Sequence, residues 1–398
     1  MSGRYRLAIV VPRYGEEVNG GAETLAREYA HRLAPHVDVT VLTTCALDYR
    51  TWEDHFPPGP GVESGVRVIR FPVPVPRDEK TFDAISAHVL TGPSTREEQL
   101  EWMNAQGPVS PELEDHLRER GAEYDGFLFI PYLYATTFRA LPLVAERSTL
   151  VGAFHEESPL ALGLFDDLVA QAGTVVTSTP EERALARRRF GVPESRLHVV
   201  GAGIDRVTGC DPGAFGESLG LMNDYVLALG RIDPSKGSTD LIAFHRQYRA
   251  TRPYGLDLVM VGRSVIDLPD EPWLHAVGFV DEDKKHEAIA GCTALVSASP
   301  FESLSLVLLE AWAQGRPTVV TTKSDVLLGQ TRRAGAGLWF ESAEEYGACL
   351  DLFAARAPIA WSLGRAGWRF ARQLDWDSTI RRLLSTLPGS PPPHEAAG

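Results

Sequence analysis

The stretch from Thr293 to Thr321 predicts a strand, a turn, a helix and a second strand in succession. Its first part, 293–298, is short, apolar and bounded by small residues, as is typical of a buried strand. Good helix formers follow from Leu304 to Gln314, and Gly315 and Pro317 then provide stop signals. A strand–helix–strand unit of this kind belongs to a parallel α/β sheet, whose ligands bind at the carboxyl ends of the strands.

Two glutamates in this unit are candidates for ligand contact. Glu302 falls in the turn after the first strand, and Glu310 interrupts an otherwise apolar helix face. The N-terminus of the helix beside Glu302 offers free N–H groups and a partial positive charge to an anion. Together these groups suit a nucleotide-activated sugar. These residues alone allow an equally good alternative without a ligand. In it, Glu302 is favoured at the helix start by the helix dipole, and Glu310 is simply solvated.

The segment from Glu302 to Glu310 resembles the glutamate–seven residues–glutamate signature of the retaining glycosyltransferases of family four, the glycosyltransferases group 1, which have the GT-B fold. The usual pattern after the first Glu is Gly-Phe-Gly, whereas this chain has Ser303-Leu304-Ser305. The resemblance implies that Glu302 and the backbone of residues 303–305 bind the donor sugar. It also implies that Glu310 binds the ribose.

Length and composition limit the alternatives. A chain of 398 residues is expected to form two domains. Its net charge of −14, with acids spread along the chain, argues against nucleic-acid binding and against broad electrostatic attachment to anionic lipid. No run of eighteen apolar residues exists, and the first residues lead directly into a strand, so neither a spanning helix nor a signal peptide is expected. The four cysteines show no paired spacing, which favours a cytoplasmic, reducing location.

In the first half, Gly20 and Gly21 follow the apolar run Arg6–Pro12 and precede a helical pattern that begins at Ala22. Such glycines allow a diphosphate to approach backbone N–H groups closely. The loop lacks the third glycine of a dinucleotide fingerprint and the Lys-Ser/Thr of a P-loop. A plain tight turn is an equally good interpretation of the residues. The resemblance implies that this loop meets the donor and the acceptor.

His155 follows the strand pattern 149–154, at the end of a strand where α/β sheets place functional groups. A lone histidine is more often structural than functional, and both interpretations stay open here. The resemblance implies that His155 contacts the donor sugar, with Glu156 in the place of the usual Asp. Further along, the cluster Arg187–Arg189 is interpreted as a solvated helix face rather than as a membrane patch.

In the second half, Arg231 and Lys236 share one loop between a strand that ends at Gly230 and a helix that begins near Ser238. An arginine and a lysine at a helix N-terminus can clamp a diphosphate. The arginine supplies a planar fork of donors, the lysine supplies a point charge, and the helix supplies free backbone N–H groups. Two solvated surface cations are the alternative. The loop matches the family motif, and the resemblance extends the donor-binding residues to the turns after the next two strands: Gly230, Gly262, Arg263, Phe279 and Val280.

The predicted architecture is therefore α/β: two doubly wound Rossmann-like domains that face a central cleft, with a C-terminal helix crossing back to the first domain. The expected boundaries are an acceptor-side domain 1–205 with a helical excursion near 78–120, a linker 206–222, a nucleotide-sugar-binding domain 223–360, a crossover helix 361–387 and a disordered tail 388–398.

The predicted function is configuration-retaining, metal-independent transfer of a hexose from a UDP- or GDP-sugar to an unidentified acceptor hydroxyl, with no cofactor. His155, Glu302, Arg231 and Lys236 are the predicted catalytic residues. The cations would stabilise charge on the leaving diphosphate. No nucleic-acid partner and no transmembrane segment are expected, and peripheral membrane contact is left open although no residue pattern indicates it. A nucleotide-sugar epimerase of the same fold and a non-catalytic nucleotide-sugar-binding protein remain alternatives. A glycoside hydrolase would need two carboxylates flanking one bond and would have no use for the Arg231–Lys236 clamp.

Overall fold

The computed structural model describes residues 4–390, which form two compact units. Unit 1 comprises the described residues up to Ala202 together with those from Trp376 onward. Unit 2 comprises Gly203–Asp375. Most of the tail expected to be disordered, 388–398, lies outside the described residues, which end at 390.

Unit 1 contains an eight-stranded sheet in the order β3-β4-β2-β1-β5-β6-β7-β8. All neighbouring strands are parallel except β3, which runs antiparallel to β4 at the edge. The inner strands are buried on both faces, which explains their continuous apolar runs. The strands are β1 Arg6–Val10, β2 Asp38–Thr44, β3 Gly59–Glu63, β4 Val66–Phe71, β5 Gly126–Phe129, β6 Ser148–Val151, β7 Thr174–Thr177 and β8 Leu197–Val199.

The helices of unit 1 up to Ala202 include three in the segment expected to be a helical excursion. Trp102 and Met103, its isolated apolar residues, are both buried in the core of the unit. The helices are α1 Gly21–Leu33, α2 Glu79–Val89, α3 Arg96–Gln106, α4 Pro111–Arg120, α5 Ala135–Ala140, α6 Leu164–Gln171 and α7 Pro180–Phe190. Short 3-10 helices cover Gly121–Glu123, Leu141–Arg147, Ser158–Ala161 and Glu194–Arg196.

Unit 2 contains a six-stranded, all-parallel sheet in the order β11-β10-β9-β12-β13-β14. The strands are β9 Tyr225–Leu229, β10 Asp257–Val261, β11 Leu274–Gly278, β12 Ala294–Ser297, β13 Thr318–Thr321 and β14 Gly337–Phe340. The helices are α8 Ala214–Ser218, α9 Ser238–Thr251, α10 Glu282–Gly291, α11 Leu306–Ala313, α12 Asp325–Ala334, α13 Ala343–Ala355 and α14 Ala357–Ala371, with a 3-10 helix at Pro234–Lys236. Each unit is thus a Rossmann-like parallel sheet covered by helices, as predicted.

Two of the expected boundaries need correction. The segment expected to be a linker, 206–222, contains α8, whose Phe215 is buried in the core of unit 2. The segment expected to be one crossover helix, 361–387, holds two helices: the end of α14 in unit 2, and α15 Trp376–Thr386 in unit 1. In unit 1, α15 packs on α1, with Trp376 edge-on to Tyr29 at 6.4 Å between ring centroids. Among residues 4–390, no helix combines the length and the apolar character needed to cross a bilayer.

Candidate functional site

The candidate site of unit 2 lies where the strand order of its sheet reverses. From β9 the chain moves outward through β10 and β11, and it then returns to β12 on the other side of β9. The loops that follow β9 and β12 therefore leave adjacent strands and diverge to opposite sides. Such a switch point is where open α/β sheets form a ligand crevice. The Arg231–Lys236 loop follows β9, and the Glu302 loop follows β12.

The loop after β9 is organised by Asp233, a residue that sequence reasoning missed. Asp233 is only 5% exposed, and its carboxylate accepts a hydrogen bond from the Lys236 backbone N–H at 3.1 Å. The Arg231 guanidinium also pairs with it, at 2.7 Å between Nε and Oδ2. The signal was present in the sequence Asp-Pro-Ser-Lys, because an Asp before a Pro commonly caps a short turn.

Gly237 explains how closely this loop approaches the neighbouring one. Its φ of 70° is left-handed, and a Cβ at this position would come within 2.1 Å of the Ala298 carbonyl oxygen. Any other residue would therefore push the loop after β9 away from the end of β12. α9 begins directly after Gly237, without a side-chain cap, so its first N–H groups have no side-chain acceptor.

The two loops are joined by an ion pair between predicted site residues. Lys236 Nζ donates to Glu302 Oε1 at 2.9 Å, across 66 positions of sequence. The Glu302 side chain is 16% exposed, and that of Lys236 is 36% exposed. Sequence reasoning placed both residues at the site but did not predict that they pair. The contact holds a carboxylate and an ammonium side by side at the switch point.

The segment 303–305 after Glu302 is held from another helix. The Ser305 backbone N–H donates to the Gln330 side-chain oxygen at 3.0 Å, and both residues are buried. α11 begins at Leu306 rather than at the predicted Leu304, again without a side-chain cap. The N-termini of α9 and α11 thus both present uncapped backbone donors. Gln330, on α12, lies outside every sequence motif and could not have been found by spacing.

Glu310 is the second glutamate of the signature, and it has a partner of its own. Lys285, on α10, places Nζ 3.0 Å from Glu310 Oε1 and 2.6 Å from Oε2 of the exposed Glu282. The other carboxylate oxygen of Glu310, Oε2, is buried and has no hydrogen-bond partner. Burial raises the pKa of Glu310, and the Lys285 ammonium acts in the opposite direction. A buried carboxylate oxygen with no partner in the protein is suited to accept a hydrogen bond from a ligand.

The remaining predicted donor-binding residues of unit 2 lie at the ends of the neighbouring strands. Gly230 and Gly262 have φ values of 120° and 145°, and a Cβ on Gly262 would come within 2.0 Å of the Gly230 carbonyl oxygen. The next turn is tied to the site loop, because the Ile232 N–H donates to the Arg263 carbonyl oxygen at 2.9 Å. Phe279, after β11, is 71% exposed, and Val280 is half-buried.

In unit 1, Gly20 directly precedes α1 and Gly21 is the first residue of that helix, one position before the predicted start. A Cβ on Gly20 would come within 2.2 Å of Glu23 Oε2, whereas Gly21 has free space around its Cα. Glu23 is buried and accepts a hydrogen bond from Arg13 Nε at 3.0 Å. Gly20 therefore has a packing role, since a side chain here would displace the carboxylate of a buried ion pair. Sequence reasoning missed both members of that pair.

His155 follows β6, and two acidic residues come directly after it in the sequence. Glu156 is exposed and points to Arg188 at 3.4 Å. Glu157 instead lies 3.3 Å from His155 Nδ1, and it also accepts a hydrogen bond from the Tyr132 hydroxyl at 3.1 Å. That Glu156 takes the place of the family's Asp stays a prediction. The histidine ring is oriented by Glu157.

The backbone that carries His155 is fixed by Glu182, a buried residue of α7. Its carboxylate accepts hydrogen bonds from the backbone N–H groups of Phe154, at 2.8 Å, and Ser178, at 2.5 Å. Ala153, just before, has a φ of 53°, an unusual value for a residue with a side chain. Burial raises the pKa of Glu182 to about 7.

Comparison with known proteins places this geometry in a family. The model of glycosyl transferases group 1 matches residues 223–350, which include β9, β12, α11 and all four of Arg231, Lys236, Glu302 and Glu310. Residues 223–350 form a glycosyl transferases group 1 domain. The resemblance first drawn from the glutamate signature is thus confirmed for unit 2.

A curated relative is D-inositol 3-phosphate glycosyltransferase from Thermobifida fusca, 28% identical over 245 residues. That match spans 55% of this chain and 56% of the relative, so it covers about half the length of each.

Solved structures extend the likeness to the whole chain at the level of fold. Sucrose-phosphate synthase from Thermosynechococcus elongatus matches with a TM-score of 0.69 at 17% identity, covering 96% of this chain and 97% of that one. HepE from Anabaena, in a complex with UDP and glucose, matches with a TM-score of 0.68 at 16% identity, covering 96% and 99%. The fold is GT-B, as predicted.

Proposed function

We propose that this protein is a glycosyltransferase that moves a sugar from a nucleoside-diphosphate donor to an acceptor hydroxyl, with retention of configuration. The observation that carries the proposal is the meeting of two loops at the switch point of unit 2, where Lys236 contacts Glu302 beside two uncapped helix N-termini. A diphosphate and a sugar together need cations, backbone donors and a carboxylate within one small region. The domain match supports the same class of reaction.

The diphosphate would be bound by Lys236, Arg231 and the first N–H groups of α9. Both cations contact carboxylates in the protein, Lys236 with Glu302 and Arg231 with Asp233. Each carboxylate holds its cation in place before the ligand arrives. When a diphosphate binds, it adds negative charge to a group of two cations and two anions, and the cations stabilise that charge as the sugar leaves.

Glu302 and the backbone of residues 303–305 would hold the sugar. The carboxylate is largely buried, and an ionised carboxylate accepts hydrogen bonds from sugar hydroxyls. Gln330 fixes the Ser305 N–H, so the backbone at 303–305 has a defined position in spite of the missing Gly-Phe-Gly pattern.

Glu310 would bind the ribose through its buried Oε2, while Lys285 keeps Oε1 engaged. UDP is the first nucleotide to test, since HepE was solved with UDP and glucose. We propose that no metal ion takes part, because Arg231 and Lys236 supply the positive charge that a divalent cation would otherwise supply to the diphosphate. His155, oriented by Glu157, is proposed to contact the donor sugar.

A thermal-shift screen tests the proposal at its first step. A ligand that binds only the folded protein stabilises it by about 2.7 kcal/mol at one hundred times its Kd. UDP or GDP should raise the unfolding temperature more than UMP or GMP does, because only the diphosphates reach both cations. The monophosphates serve as matched controls. If no nucleoside diphosphate raised the unfolding temperature, the proposed donor class would be wrong.

A further inference from the structure

Helix α14 packs against unit 2 through its small residues. Ala360, Gly364, Gly367 and Ala371 follow one another at helical spacing, and all four are buried. A Cβ on Gly364 would lie 1.9 Å from the Gly315 carbonyl oxygen, and one on Gly367 would lie 2.7 Å from the Trp312 ring. The helix therefore lies very close to α11, and its large side chains are directed elsewhere.

The adjacent stripe of the same helix carries tryptophan and arginine in alternation. Trp361 is 68% exposed, although an indole ring is among the largest apolar groups that a helix could bury. The Arg365 guanidinium lies 5.7 Å from the Trp361 ring and 4.7 Å from the Trp368 ring. Arg372 lies 4.6 Å from Trp368 on its other side. Aromatic and cationic groups are thus held together along one exposed face.

A third pair of the same kind lies on elements that pack against α14. Trp339, on β14, is 41% exposed, and the Arg332 guanidinium lies 4.9 Å from its ring. β14 and α12, which carry these residues, both contact α14. We call the set the Trp–Arg face; its members are Arg332, Trp339, Trp361, Arg365, Trp368 and Arg372.

The charge of α14 and its flanks differs from that of the chain. Residues 356–373 contain four arginines and no acidic residue, in a protein with a net charge of −14. Within residues 4–390, none of Arg356, Arg365, Arg369 and Arg372 forms an ion pair with a carboxylate. The arginine cluster 187–189 on α7 is different, because its members pair with Glu194, Glu156 and Asp166. Its interpretation as a solvated face agrees with these pairs.

We infer that the Trp–Arg face docks the protein on an anionic phospholipid surface. A partner that binds this face must offer negative charge to the arginines and an apolar environment to the tryptophan rings beside them. A bilayer interface does so, because its phosphates lie directly above the acyl boundary, where tryptophan rings concentrate. Arginine stems can extend along the rings while the guanidinium groups reach the phosphates. With 15 residues, α14 is about 22 Å long, enough to lie along such a surface.

Sedimentation with lipid vesicles tests this inference. The full chain is mixed with vesicles of pure phosphatidylcholine, or of phosphatidylcholine and phosphatidylglycerol in equal parts. We expect binding to the anionic vesicles only, and weaker binding at high salt. Arg365→Gln with Arg372→Gln should weaken binding about 25-fold, at roughly fivefold for each arginine near the surface. Trp361→Ser should weaken it on the order of tenfold, because an indole leaves the interface.

The control is Arg187→Gln with Arg188→Gln, which removes the same charge from the paired cluster on α7 and should leave vesicle binding unchanged. Because the side chains of Trp361, Arg365 and Arg372 are exposed, the variants should keep the wild-type circular dichroism spectrum and unfolding temperature. The inference fails if anionic vesicles do not sediment the wild-type protein. It fails equally if the control loses as much binding as the α14 variants, or if polyglutamate binds the face and vesicles do not.

Discussion

Replacing Glu310 with glutamine should weaken nucleotide binding without unfolding unit 2. Glutamine keeps the size of the side chain and removes its charge. In the free protein, burial already opposes the charged form of Glu310, and Lys285 offsets that cost at 3.0 Å. Lys285 also keeps its second partner, Glu282, in the variant. Loss of the Glu310 charge should therefore cost less unfolding free energy than the roughly 3–5 kcal/mol of a buried ion pair that leaves its partner without a counter-charge.

The free energy of nucleotide binding should change by more than the free energy of unfolding. The buried Oε2 of Glu310 has no partner in the protein, so any hydrogen bond that it makes is made to the ligand. Hydrogen bonds to a charged group contribute about 1.5–3 kcal/mol, which corresponds to a roughly 10- to 150-fold increase in Kd.

Calorimetric titration of UDP and GDP into the wild-type protein, Glu310→Gln and Glu282→Gln measures this difference. Glu282 pairs with the same lysine but is 75% exposed, so its substitution should change Kd by less than about twofold. An equal loss in both variants would mean that the nucleotide responds to Lys285 rather than to Glu310. Unchanged affinity in Glu310→Gln would remove Glu310 from the site.

Three further predictions concern catalysis and pH. Lys236→Met should raise the Kd for the nucleoside diphosphate and lower turnover together. His155→Ala should lower turnover by about a hundredfold or more and leave that Kd nearly unchanged. If His155→Ala turned over as fast as the wild type, the role of the histidine would be structural. Activity should survive EDTA, and a loss restored by manganese or magnesium would contradict the proposed role of the two cations. Because burial raises the pKa of Glu182 from 4.5 to about 7, the folded protein binds more protons than the unfolded chain between these pH values. Its stability should therefore fall by about 3 kcal/mol as pH rises from 4.5 to 7, a slope that urea unfolding should find in the wild type and not in Glu182→Gln.

The strands and the ends of the site loops could be predicted from the sequence because their signals are local. A continuous apolar run marks a buried parallel strand, and the loop from Arg231 to Lys236 is bounded by Gly230 and by the start of α9. Glu302 was likewise placed correctly in the turn after β12. These features depend on residues that are close together in the chain.

The partners of the site residues could not be predicted, because they come from distant segments. Lys285 reaches Glu310 across 25 positions, and Gln330 reaches Ser305 across the same number. Neither residue belongs to a motif, and only the packing of α10 and α12 brings them to the site.

The local sequence could not show which of two neighbouring acids lies beside His155. Glu156 and Glu157 are both acidic, and the turn after β6 directs the second one toward His155. The break between α14 and α15 was missed for a similar reason. Residues 372–375 contain neither glycine nor proline, and apolar residues continue through Leu374 to Trp376. The break coincides with a contact from a distant segment, because the Leu374 carbonyl oxygen accepts a hydrogen bond from the Ile204 N–H at 2.8 Å.

The most direct test of sugar transfer measures both products of the reaction, the nucleoside diphosphate and the glycosylated acceptor. The protein is incubated with a UDP- or GDP-sugar that it binds, with and without a panel of sugar and polyol acceptors. Release of the nucleoside diphosphate and the anomeric configuration of the new product are then read by NMR. We expect release that depends on the acceptor, and a product with the donor's configuration. Conversion of the donor sugar without any acceptor would identify an epimerase, and binding without turnover on any acceptor would contradict the proposed transfer.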